Sequence, residues 1–252
     1  LDIAEGSLLL DRWLEGSEAG AQSGTIRKIG TFRQRRTLQP AQRHDILTKF
    51  STTGQGLPLY LRLAYEAARH WKSYVNLPLV DGDETTLSAT LDGLLEQLFE
   101  RLEDPRQHGP VLTRRTLAFL AAARHGLTED ELLDLLSSDP DLMREFVERS
   151  PTERAKAESE RLTTLPTLLW SRLYADLEPY LKLRSADGTV LLSFYHRVVG
   201  ESVTRRYLTD AARLRTHAHM ARYFDGHDWW LGSLDEQRKC VLARPAQLRR
   251  TN

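Results

Sequence analysis

Two places in this 252-residue sequence carry residue types at a spacing that could do chemistry. The first is Gly56-Leu57-Pro58-Leu59-Tyr60-Leu61, where a helix-ending glycine is followed two residues later by a helix-opening proline. Local structure alone accounts for both, because a proline in a first helical turn lacks an N–H that would have no partner there anyway. The second is Phe194-Tyr195-His196-Arg197, where a strand pattern hands over to a helix pattern. His196 would then sit near a helix N-terminus, whose N–H groups attract anions. A neutral imidazole with a free ring N–H could donate to a phosphate oxygen there, although a lone histidine more often caps or packs.

Other chemistries find no support. No G-x-x-x-x-G-K-[ST] occurs, and no glycine directly precedes a lysine. G-x-S-x-G, H-E-x-x-H and C-x-x-C are absent as well. His217 and His219 are two apart, which on a helix points them to different faces and argues against a metal site. The single cysteine, Cys240, excludes an internal disulfide and a Cys-rich zinc site. Carboxylates are plentiful but form no distinctive acid/base pair, so no catalytic residue and no metal ligand is assigned. The chain is not expected to be an enzyme by itself. Its 35 Lys+Arg balance 35 Asp+Glu, which argues against a strongly basic nucleic-acid binder. No stretch approaches the ~20 apolar residues of a membrane span. The chain opens on Leu1 without a basic-then-apolar leader, so a cytoplasmic setting and a fragment or truncated product of a longer protein are expected.

The elements that must position Pro58 and His196 read as mostly α-helical, since leucines recur at helical spacing and period-2 runs are rare. A short amphipathic helix opened by Ser7 is followed by a long loop over residues 16–36, Gly/Ser-rich and then basic. Helices are predicted from Pro40 to Phe50, from Leu57 to about Tyr74, and from Thr85 to the Asp104-Pro105 stop, with an Asp81-Gly82-Asp83 linker between the last two. A second unit starts near Pro105. Its first helix, Val111 to Arg124, ends at His125-Gly126, where glycine suits a left-handed cap. Thr128 and Glu131 have the spacing of a capping box for the next helix, and Asp139-Pro140 opens another that ends near Ser150. A polar stretch over 150–162 precedes a helix from Leu165 to Leu181. Asp187-Gly188 between two apolar runs then marks a β-hairpin. Three helices and a hairpin make a winged helix-turn-helix, and helices from Arg197 to Leu208 and from Asp210 to Phe224 follow. The expected fold is mainly α: a helical lid domain over 1–104, a winged-helix domain over 105–200, and a C-terminal helical extension over 201–252.

The order of these features resembles the C-terminal half of a nucleotide-switch module of the STAND signal-transduction ATPases, in the NACHT and NB-ARC branches. It is most similar to NACHT proteins of the telomerase-component and nephrocystin-like kind. The stretches that carry the resemblance are Leu9 to Leu14, Arg36 to Gln42, Gly56 to Ala64, Gly126 to Leu136 and Leu192 to Val203. The resemblance implies that Pro58, with Gly56 and Leu57 beside it, lies against an adenine. It implies that His196 contacts the β-phosphate of ADP and holds the module closed. A third phosphate would disturb that contact, so ADP and ATP would bias a two-state hinge differently. The P-loop strands are absent from this sequence, so ADP or ATP, and any Mg2+, would be held only together with a P-loop NTPase domain. A C-terminal repeat domain is the other partner implied.

Two further readings belong to other classes. In a winged-helix DNA-binding regulator, the helix from Leu165 to Leu181 would read bases, but it carries Arg172 beside Asp176 and Glu178, with Trp170 and Tyr174 suited to packing. A helical protein-interaction scaffold would use Trp229-Trp230-Leu231 as an aromatic contact surface.

Overall fold

Helix ends and close backbone approaches set this architecture, and most of them rest on named side chains. The computed structural model describes residues 1–15, 37–71, 87–149, 164–186 and 188–226. These contain ten α-helices and one antiparallel hairpin. The chain divides into two compact units, Leu1–Glu100 and Arg101–Asn252.

In the first unit, α1 (Ile3–Leu14) starts four residues before Ser7. Asp2 is its cap: the Asp2 carboxylate accepts from the Glu5 N–H at 2.7 Å, and the Glu5 carboxylate accepts from the Asp2 N–H at 3.0 Å. Ser7 lies inside the helix, and its hydroxyl accepts from Arg43 of α2 (Pro40–Ser51). Arg43 also pairs with Asp11, at 2.9 Å in one of its two contacts. Gly6 is the point of closest approach, since a Cβ there would stand 2.3 Å from the Phe50 ring. α3 (Pro58–Ala68) is shorter than the periodicity predicts and passes into a turn at Arg69. Its buried Glu66 carboxylate lies 2.8 Å from Arg62 and 2.7 Å from Arg69. The next helix, α4 (Leu91–Glu103), starts later than Thr85 because Thr90 caps it, its hydroxyl accepting from the Gly93 N–H at 3.1 Å. The approach to α4 is held by Tyr60, which donates to the Ser88 carbonyl at 2.6 Å, and by Lys49, which donates to that of Leu87. Leu10, Ile46, Phe50, Tyr60, Leu61 and Leu95 form the dry centre.

The second unit is built around α5 (Pro110–Ala122), which is buried on nearly every side and touches α6 (Glu129–Ser137), α7 (Pro140–Arg149), the wing and the two last helices. The predicted capping box is present: Thr128 Oγ1 accepts from the Glu131 N–H at 3.1 Å, and Glu131 accepts from the Thr128 N–H at 2.8 Å. Gly126 is not the left-handed cap of α5, which ends on an extended Ala123. With φ at +97°, Gly126 instead lets the chain approach the wing, where a Cβ would stand 2.3 Å from the Leu192 carbonyl oxygen. Leu127 then exchanges two backbone hydrogen bonds with Leu192, a one-residue third strand that the sequence reading lacks.

α8 (Thr167–Leu177) is shorter than Leu165 to Leu181, because Pro166 precedes it and Glu178–Tyr180 form a 3-10 turn around Pro179. Its Trp170 is fully buried and donates to Glu129 at 2.7 Å. β1 (Leu181–Ala186) and β2 (Thr189–Phe194) pair from Leu181 opposite Phe194 to Ala186 opposite Thr189. Gly188 has φ at +79° in the turn, while Asp187 lies outside the described residues. α9 (Arg197–Tyr207) and α10 (Asp210–Gly226) close the unit. The Glu103 carboxylate joins the last turn of α4 to both α5 and α9. It accepts from Arg114 at 2.6 Å, from Tyr207 at 2.6 Å and from Arg206 at 3.3 Å. The linker at 81–83, the loop at 16–36, the stretch at 150–162 and everything from 227 onward, Cys240 included, lie outside the described residues.

His219 of α10 packs edge-on to Phe119, with ring centroids 5.3 Å apart, and shares a 2.8 Å hydrogen bond with Ser138. Among the described residues, no cluster of His, Cys, Asp or Glu is arranged to hold a metal ion.

Two expectations follow for stability. Gly126→Ala should destabilise the second unit by at least about 2 kcal/mol, from its positive φ and the carbonyl clash, whereas Gly188→Ala, with open space around it, should cost about 1 kcal/mol. Urea unfolding of both variants checks this. Burial holds the His219 imidazole below its ordinary value of 6.5, against the opposing pull of Asp139. The unfolded chain therefore binds that proton first as pH falls. His219 contributes stability above 6.5 that is lost as pH falls from there through the folded value. An NMR titration should place the His219 transition below 6.5, and His219→Gln should flatten the acid limb of the unfolding curve.

Candidate functional site

Gly56, Leu57 and Pro58 lie together in the first unit. The turn after α2 brings the Gly56 N–H to the Phe50 carbonyl at 2.9 Å, with Gly56 in the left-handed region at φ +65°. Gly56 is buried against the backbone of Leu1, 2.3 Å from where a Cβ would stand, so the position is confined to glycine. Leu57 is the extended residue before α3, and Pro58 is its first helical residue. Both are exposed, Leu57 at 47%. A buried glycine thus presents an apolar Leu-Pro corner to the surface, and a flat ring could stack on it.

His196 lies in the second unit, at the N-cap of α9, with an extended backbone. Its Nδ1 accepts from the Val198 N–H at 3.2 Å, satisfying one of the orphan donors of the first helical turn. That bond fixes the tautomer of the neutral ring: the proton belongs on Nε2. The ring is exposed, so Nε2–H points away from the helix as a donor. The capping role and the donor role of the sequence reading therefore coexist on the two nitrogens of one ring.

His196 borders a cleft of about 330 Å3 formed by the end of α5, the wing and the first turns of α9. Arg124, His125, Lys182, Arg184 and Arg197 also line it, and the described carboxylate there is Glu201. Glu201 lies 3.2 Å from Arg197 in an exposed ion pair. Arg124, Lys182 and Arg184 are exposed and make no ion pair among the described residues. In the wall, the Ser193 hydroxyl is buried without a hydrogen-bond partner. A local excess of positive charge in a chain of zero net charge, beside a helix N-terminus, is an anion-binding arrangement.

Sequence reasoning singles out His196 but not its basic neighbours. The signal lay in Lys182 and Arg184, two apart on one strand face, and in Arg124 and His125 just before Gly126. Nothing in the sequence said that these stretches meet.

The family model described as "NWD1-like, winged helix-turn-helix domain" matches residues 79–215. NACHT domain- and WD repeat-containing protein 1 of Homo sapiens is 37% identical over 217 residues, 86% of this chain and 13% of that protein. The protein of the same name from Mus musculus is 33% identical over 215 residues, 85% of this chain and 13% of that protein. NACHT and WD repeat domain-containing protein 2 of Homo sapiens is 33% identical over 172 residues, 68% of this chain and 9% of that protein. This chain therefore spans only about an eighth of the length of the first two relatives. No solved structure matches. The resemblance to the C-terminal half of a NACHT-type module, without its P-loop part, holds: the chain belongs to the NWD1-like winged helix-turn-helix family.

Proposed function

We propose that this chain is the regulatory lid of a NACHT-type switch, which senses ADP held by a P-loop domain that the chain does not contain. The observation that carries the reading is the His196 ring, with Nδ1 engaged by Val198 and Nε2–H exposed beside a cationic cleft. A neutral donor there reads the terminal oxygens of a diphosphate, and one more phosphate would crowd it. The exposed Pro58 ring, with Gly56 and Leu57 behind it, would cover the adenine.

The chain's own share of the work is to bind and to close. Triphosphate hydrolysis in a complete module would belong to the P-loop domain and its Mg2+. The names of the relatives support a NACHT domain and WD repeats as the partners in one polypeptide. No helix among the described residues is long and apolar enough to cross a membrane, and a cytoplasmic setting is part of the proposal. A DNA-reading role is not favoured, because α8 turns Leu168, Ser171 and Ala175 outward with Arg172 as its exposed cation.

The test uses the full-length protein with its NACHT domain. Purified and then denatured, it should release bound ADP. His196→Ala should weaken ADP by about 10- to 100-fold, the value of one hydrogen bond to a charged group, and should affect ATP less. Pro58→Ala should lower affinity for both nucleotides. Retention of ADP by both variants at the wild-type level overturns the reading.

A further inference from the structure

The hairpin of the second unit has one closed edge and one open edge. The closed edge belongs to β2. Leu192 donates its N–H to the Leu127 carbonyl at 2.7 Å and accepts from the Leu127 N–H at 3.1 Å, on the side away from β1. Leu192 stands directly opposite Leu183. In an antiparallel ladder, two opposed residues either exchange both backbone bonds or turn both sets of backbone groups outward. Leu192 turns its groups outward, so Leu183 does the same on β1, and Ser185 follows two residues on. Among the described residues, the N–H and carbonyl groups of Leu183 and Ser185 have no hydrogen-bond partner. Lys182, Leu183, Arg184 and Ser185 are all exposed, so no described element covers this edge.

The side chains along the open edge are sorted by face. Leu183 shares one face with Val190, which lies opposite Ser185, and the two are 57% and 38% exposed. Lys182 and Arg184 share the other face, and neither makes an ion pair among the described residues. Cations on an edge strand keep it from pairing indiscriminately. They also select what can pair. A second copy of β1 laid antiparallel about Leu183 would set Lys182 opposite Arg184, and like charges directly opposite destabilise a pairing. A strand with carboxylates on that face and apolar side chains on the other would meet opposite charge on one side and Leu183 with Val190 on the other.

We propose that the outer edge of β1 is a docking site for an extended acidic peptide segment, apolar and acidic at alternate positions, which joins the wing as an added strand. Leu183 and Ser185 supply the backbone hydrogen bonds. Lys182 and Arg184 select for carboxylates, and Leu183 with Val190 gives the apolar contact. The proposal is independent of the nucleotide reading, since it uses neither His196 nor Pro58.

The 252-residue chain is titrated with a short peptide of alternating Glu and Val while amide hydrogen exchange is followed by NMR. The Leu183 and Ser185 amides should gain protection on binding, and the Lys182 and Arg184 amides, which face β2, should change little. Lys182→Glu combined with Arg184→Glu turns attractive cross-strand pairs into repulsive ones and should weaken binding at least about fivefold. Arg213→Glu alters the charge of α10, outside the hairpin, and should leave binding unchanged. Leu183→Pro removes an outward N–H and none of the bonds to β2, so it should abolish binding while the Leu192 amide stays protected. An alternating Glu-Pro peptide of the same charge requires no change in the protein and should not bind, because proline cannot donate to a ladder. Equal binding of the Glu-Pro peptide would make the wing a general polyanion binder and overturn the proposal. Protection of Leu183 and Ser185 that grows with protein concentration in the absence of peptide would make a second copy the occupant and overturn it too. So would titration with the Glu-Val peptide that protects neither amide.

Discussion

The backbone N–H of Val198 has no carbonyl to bond within its own helix, and the ring of His196 takes it. Much of the functional arrangement depends on that one hydrogen bond. It starts α9 at Arg197, locks the neutral ring in one tautomer, and leaves the opposite nitrogen to face outward as a donor. A serine or aspartate at the same position would cap the helix equally well, and both are commoner caps. Neither has a second, separate donor to offer on the far side of the cap. The helix terminus and the proposed ligand contact therefore make different demands on a single side chain, and an imidazole suits both.

Around that histidine, the winged helix is a packed frame. Trp170, Leu173 and Leu177 of α8 are spent on the core, and Trp170 is tied to Glu129. The wing turns two cations toward α9, and its Leu192 is paired with Leu127. The single bridge at Leu127 settles how closely the α5–α6 connection lies against the hairpin. Gly126 permits it by tolerating a backbone angle that a side chain would resist.

Helix starts that follow a short capping grammar were legible in the sequence. Thr128 with Glu131 shows this, and Asp2 with Glu5 obeys the same rule, but the leucine pattern begins only at Leu8 and points to Ser7 instead. The winged-helix order, the hairpin and the helical character of both units were legible from periodicity. Periodicity carries α8 past Leu177, whereas Pro179 marks the end of the α-helix. The pairing of Leu127 with Leu192 was not legible, because one residue has no period. The cleft was not legible either: Arg197 and Arg184 look alike in a sequence, and only the fold places Glu201 beside the first and, among the described residues, no ion-pair partner beside the second.

The knot at Glu103 has a mechanical side. One carboxylate clamps the last turn of α4 to α5 through Arg114 and to the far end of α9 through Tyr207 and Arg206. The opposite end of α9 is the His196 cap, about three turns away along a rigid rod. Both ends of α9 are thus moored, one by a carboxylate shared with α5 and the last turn of α4 and the other by an imidazole, so the axis of the rod is set at two points rather than one.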